Sequence, residues 1–137
     1  MTKLIQDLWI LDDSGIVLFH RVFDEKVDVN LFGGLLSAIN SFAEELSKGG
    51  LSNFELANKK FSLLKQKNYL FIANASKKHN LKKVNKELQN IMNKFFTLYQ
   101  ENLLNNWNGD TRIFTSFEKE IEESLESILE KLEKAFW

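Results

Sequence analysis

Two short stretches of this 137-residue chain are apolar on both of their faces. In the first, Lys3 to Leu11, Leu4, Leu8 and Ile10 alternate with Ile5, Trp9 and Leu11. The second, Tyr69 to Ala75, reads YLFIANA. A β-strand sends successive side chains to opposite faces, so neither stretch has a face to give to water. Each must lie centrally in a sheet, and other layers must cover that sheet on both sides. An open sheet with one wet face is excluded.

The remaining segments supply the neighbours and the cover. Asp12-Asp13-Ser14-Gly15 is a turn sequence. It leads to a second strand, Gly15 to Phe23, with Val17, Phe19 and Phe23 opposite Ile16, Leu18 and Val22. A helix is expected from Val29 to Lys48, with Leu31, Leu35, Ala38, Ile39, Phe42 and Leu46 on its main apolar stripe. Phe32, Leu36 and Ala43 widen that stripe. Asp28 or Asn30 can cap its start and Gly49-Gly50 can end it. Gly33-Gly34 weakens the helix by about 1 kcal/mol per glycine relative to Ala; the pair either lets another backbone come close or marks a helix that begins later.

Three strands follow: Leu51 to Ala57, half polar and suited to an edge; Lys60 to Gln66; and Tyr69 to Ala75. The short joins Asn58-Lys59 and Lys67-Asn68 make them an antiparallel meander. Two helices finish the chain. One, Asn80 to Leu104, carries the stripe Leu81, Val84, Leu88, Ile91, Met92, Phe95, Tyr99 and Leu103. The other, Ser116 to Phe136, carries Phe117, Ile121, Leu125, Ile128, Leu132 and Phe136, with Thr115 and Glu118 at capping-box spacing. The fold class is α+β, in the order β-β-α-β-β-β-α-α. One helix is expected on one face of the sheet and two on the other.

Apolar residues are 44% of the chain and charged residues 27%, as in soluble single domains, and residues 1–137 read as one domain. There is no Cys, hence no disulfide or thiolate chemistry. With neither a signal peptide nor a membrane-length apolar run, a cytoplasmic protein with peripheral contact at membranes is expected. The net charge of -1 is a cancellation. Residues 57–86 hold nine lysines and no acid, between flanks of net -5 each. Within them Lys77, Lys78, Lys82, Lys83 and Lys86 form a candidate basic docking patch, suited to anionic headgroups or an acidic protein. Nucleic acid is disfavoured, because the patch has no arginine and no aromatic platform.

The catalytic inventory is nearly empty. His20 and His79 lack metal-ligand spacing. Asp12-Asp13 and the acids Asp24, Glu25 and Asp28 lie at opposite ends of a strand and cannot share an ion. No phosphate-binding glycine loop and no serine nucleophile elbow occurs. The polar loop NNWNGDTR offers Trp107, as a lid on the core or a binding anchor, and Arg112, as a finger toward a GTPase. Neither an enzyme nor a cofactor is expected.

The element order and texture resemble the longin domain, a small three-layer α-β-α domain of trafficking proteins. The matching stretches are LIQDLWILDDSGIVLFHRVF, NLFGGLLSAINSFAEEL and SNFELANKKFSLLKQKNYLFIANASKKH. The resemblance implies a five-stranded sheet in the order 2-1-5-4-3. The second strand departs from the pattern, since it too reads as apolar on both faces yet would lie on an edge, where an apolar strand invites a partner. The resemblance also implies a non-catalytic module that binds a small GTPase or another longin- or roadblock-type subunit, homodimers included. Pairing is expected through the first helix. The candidate interface residues are Phe32, Gly33, Gly34 and Leu36, joined by Trp107 and Arg112. A PAS- or GAF-like ligand sensor would instead need an internal cavity with convergent polar groups. A third reading is an adaptor that uses the lysine patch on an anionic membrane or RNA.

Overall fold

The computed structural model describes residues 5–22, 29–46, 53–56, 59–76 and 80–122. Five strands form one sheet: β1 (Asp7–Asp12), β2 (Val17–Arg21), β3 (Asn53–Leu56), β4 (Lys59–Gln66) and β5 (Tyr69–Ser76). Their order is β2-β1-β5-β4-β3, and every neighbouring pair is antiparallel. The two doubly apolar strands, β1 and β5, are therefore central. They pair with Trp9 opposite Ile72 and Leu11 opposite Leu70. Alternation then divides the core in two. Leu8, Ile10, Phe71 and Ala73 enter one cluster, and Trp9, Leu11, Leu70 and Ile72 enter the other.

Turn chemistry sets both hairpins. The Asp12 carboxylate accepts from the Ser14 N–H (3.0 Å), the Ser14 hydroxyl (2.7 Å) and the Ile16 N–H (3.0 Å). Gly15 takes the positive φ, 91°, that closes this turn. Between β4 and β5, Lys67 and Asn68 both have positive φ, 52° and 69°, as a two-residue hairpin turn requires.

β2 differs from its expected pattern. Ile10 lies opposite Phe19 but Leu11 lies opposite Val17, so the register slips by a bulge. The bulge sends Leu18 and Phe19 to the same cluster and leaves Val17 in the other. Strict alternation over Gly15 to Phe23 therefore misassigned its faces.

α1 (Val29–Leu46) lies against β1 and β2, and α2 (Leu81–Leu98) lies against β4 and β5. Asn80 caps α2, its side chain accepting from the Lys82 N–H at 2.8 Å. Val84, Leu88, Ile91, Met92 and Phe95 of α2 are buried. Phe95 is the aromatic hub, with Phe71, Phe114, Phe117 and Tyr99 at ring distances of 5.0–5.7 Å.

The helix expected over Asn80 to Leu104 is broken. Tyr99 leaves helical geometry (φ -112°, ψ 80°), and its hydroxyl donates to the Ile113 carbonyl at 3.2 Å. The chain resumes as α3 (Glu101–Asn105), with Leu104 buried and Leu103 exposed. The capping box is also absent. A 3-10 turn, Thr111–Phe114, runs on toward α4 (Phe117–Glu120), so Thr115 is itself helical and Ser116 precedes α4 without a side-chain cap. Of the helix expected over Ser116 to Phe136 the described residues include α4 alone; residues 123–136, with Asp24, Glu25, Asp28, Gly49-Gly50, Lys77, Lys78, His79 and Trp137, lie outside the described residues.

Candidate functional site

Gly33 determines how α1 meets the sheet. A Cβ at this position would stand 2.6 Å from Val17 Cγ2 and 3.0 Å from Leu11 Cδ2. The helix backbone thus rides directly on β1 and β2. Beside it Phe32 stacks on Trp9, with ring centroids 4.9 Å apart, and approaches Phe61 at 5.7 Å. Leu36 is 1% exposed and Asn40 is buried. Further along, the Glu44 carboxylate accepts from Asn40 Nδ2 (3.0 Å) and from Lys65 Nζ (2.7 Å), tying α1 to β4. The Lys65 hydrogen bond is the main reason the Glu44 carboxyl titrates below its usual range.

With Phe32, Gly33, Leu36 and Asn40 turned in, the residues set about 100° per position around the helix turn out. Leu35 is 56% exposed, Ile39 40%, Phe42 64% and Leu46 75%. This reverses the sequence expectation. The stripe of Leu35, Ala38, Ile39, Phe42 and Leu46 is outside, and Phe32, Gly33 and Leu36, expected at a partner interface, are packed on the sheet. Among those four helix candidates only Gly34 faces out, with no atom within 4 Å of a Cβ built there. Two adjoining apolar stripes give one broad periodic signal, and periodicity cannot rank them. The steric fit of Gly33 does.

Four large apolar side chains on one face of an 18-residue helix make a contiguous exposed patch. Their intervals of four, three and four residues are those of a helix–helix seam.

Trp107 and Arg112 are elsewhere. Trp107 folds back: its Nε1–H donates to the Asp110 carbonyl at 2.9 Å, and its ring meets Phe114 edge-on at 5.5 Å. It packs on the cluster beneath α2, not beside the α1 patch. The Arg112 guanidinium is solvent-facing, but its Nε and one terminal nitrogen grip the Asp110 carboxylate at 2.9 and 2.8 Å. That grip holds the Asp110 carboxyl down at about 2. Lys82, Lys83 and Lys86 are exposed on α2, across the sheet from α1.

Two grooves are open clefts at the sheet's rim, not enclosed core cavities. One, of about 460 Å³, lies at the end of the sheet between Asp12, Lys67, Tyr69 and Phe96. Burial, then the charges of Asp12 and Asp13, raises the Tyr69 hydroxyl above its ordinary value. The other, of about 400 Å³, lies between β2 and the 3-10 turn, with His20 and Arg112 in its wall. Among the described residues no cluster of His, Asp and Glu could hold a metal ion. Nor is any described helix long and apolar enough to cross a membrane.

A family model for the first longin domain of FUZ, MON1 and HPS1 matches residues 6–134. No curated protein matches the chain. Among solved structures, a roadblock/LC7 domain from Streptomyces avermitilis is similar at TM-score 0.59 and 12% identity, covering 69% of this chain and 85% of that one. MglB from Myxococcus xanthus is similar at TM-score 0.53 and 14% identity, over 68% and 84%. The gliding protein MglB from Thermus thermophilus is similar at TM-score 0.51 and 13% identity, over 59% and 67%. At these identities the structural likeness is one of fold.

Proposed function

The chain belongs to the family of first longin domains of FUZ, MON1 and HPS1, and from that premise we propose that it is a non-catalytic interaction module that docks through the outward face of α1. The observation that carries this reading is the seam of Leu35, Ile39, Phe42 and Leu46, left in water by a helix whose other face is already packed. At roughly 25 cal/mol per Å² of apolar surface, a patch of this kind favours a cover. The occupant is a helix of another longin- or roadblock-type subunit, a second copy of this chain in the simplest case. We read such pairs, in keeping with the longin resemblance, as parts of small-GTPase-linked or membrane-trafficking assemblies in the cytoplasm. The module spans residues 1–137 as a single domain.

Support for a non-catalytic role comes from the family, whose members are generally interaction modules, and from the engagement of the loop arginine. Arg112 is held by Asp110 in a two-point grip, so serving as a finger would require giving up that pair. A ligand-sensor reading has less behind it, since both grooves open to solvent at the rim.

Pull-down with a panel of small GTPases in GDP and GTP forms tests the functional assignment. Nucleotide-dependent capture that Phe42→Glu weakens supports it. Capture of none, together with a strictly monomeric chain, refutes it.

A further inference from the structure

The lysine-rich stretch divides once it is folded. Lys65 is paired with Glu44, Lys67 sits over the Phe96 ring at 5.3 Å, and Lys60 lies opposite Glu55 in the β3–β4 register. Lys82, Lys83 and Lys86 are different. All three are exposed on α2, and among the described residues no carboxylate pairs with them. Glu87 is the one acid in α2.

Their placement works against the helix that carries them. Lys82 and Lys83 occupy a first turn that holds no acid, where the helix dipole disfavours cations. Lys82 and Lys86 are like charges four residues apart, which also destabilises a helix. A local conflict of this sort, with no ion pair to Lys82, Lys83 or Lys86 among the described residues, points to a surface shaped by something other than folding.

We propose that this lysine face of α2 is a contact surface for an anionic lipid bilayer. Three features select lipid over other polyanions. Every charge is an ammonium on a flexible stem, which suits a smeared negative plane and lacks the planar fork used for directional recognition. The lysines stand on the outside of a helix, on a convex surface. The nearby outward positions Gln89, Asn90 and Asn93 are neutral and polar, with no aromatic platform for bases. The face lies across the sheet from the α1 seam, so lipid and a protein partner can be held together.

The test is co-sedimentation of the whole chain with vesicles of phosphatidylcholine alone and of phosphatidylcholine with phosphatidylserine. Binding is expected only to the anionic vesicles, and is expected to vanish near 1 M salt, where charges are screened within about 3 Å. A lysine at an anionic surface contributes about fivefold to partitioning. Joint Lys82→Gln, Lys83→Gln and Lys86→Gln should therefore weaken binding about 100-fold, whereas the triple arginine variant should retain it. The glutamine variant should melt no lower than the parent, so lost binding cannot be put down to unfolding. Binding to neutral vesicles, anionic binding that survives the glutamine triple, or no anionic binding overturns the proposal. Capture by polyglutamate or RNA without binding to anionic vesicles overturns it too, and points to an acidic protein or a nucleic acid.

Discussion

α1 and α2 are helices of 18 residues on opposite faces of one sheet, yet they treat water differently. α2 largely follows the rule for a surface helix: Val84, Leu88, Ile91, Met92 and Phe95 are inside, lysine, asparagine and glutamine are outside, and Leu98 at its end is the one large apolar residue left exposed. α1 inverts it. Its contact with the sheet is a glycine, a phenylalanine, a leucine and then Asn40 and Glu44, while four large apolar residues face out. One helix is finished as a surface; the other leaves a large apolar face in water.

The sharpest way to break the comparison is at the inward faces. Phe95→Ala removes the aromatic hub beneath α2 and is expected to cost about 3–5 kcal/mol, read as a lower midpoint in urea. Leu36→Ala, beneath α1, is expected to cost about 2–3 kcal/mol, at the lower end for a buried leucine because one of its neighbours on the helix is already polar. An equal or larger loss at Leu36 would mean that α1 is as firmly seated as α2.

The adjacent glycines give a finer contrast. Gly33→Ala presses a methyl into Val17, a stiff β-branched neighbour in a strand, and should destabilise by about 1–3 kcal/mol. Gly34→Ala meets open space and should stabilise the isolated chain by up to about 1 kcal/mol through helix propensity. Thermal melts of the two variants shifting in the same direction would contradict the orientation of α1.

The smallest expected effect is at the loop. Asp110 titrates at about 2 because Arg112 grips it, below its ordinary 3.8. Its contribution to stability is therefore present above pH 3.8 and fades as the pH falls toward 2. In Arg112→Ala the carboxyl midpoint, followed by NMR, should return toward 3.8, with little change in the melting temperature at neutral pH.

The central places of β1 and β5 agree with their doubly apolar sequences, whereas β2, also apolar on both faces in sequence, lies on an edge. The turns at Asp12 to Gly15 and Lys67-Asn68 were legible because their chemistry is local. What the sequence hid was relational. The β2 bulge depends on pairing with β1. The break at Tyr99 comes with a contact to the Ile113 carbonyl, fourteen residues on. The facing of α1 depends on a close approach at Gly33 that no period encodes. Of the four helix residues named as a candidate interface, Phe32, Gly33 and Leu36 thus pack on the sheet and Gly34 faces out. A signal was present: Leu35, Ile39, Phe42 and Leu46 keep a helix-seam spacing, in a helix with a second apolar stripe beside it.

Sedimentation equilibrium of the whole chain, alone and as Phe42→Glu, bears most directly on that exposed seam. Phe42 is largely exposed, so the substitution should change monomer stability by no more than about 0.5 kcal/mol. The expected result is a dimer at micromolar concentration that Phe42→Glu weakens at least 100-fold while remaining folded. A parent chain that stays strictly monomeric at high concentration, or a Phe42→Glu chain that pairs as well as its parent, would contradict self-pairing through α1.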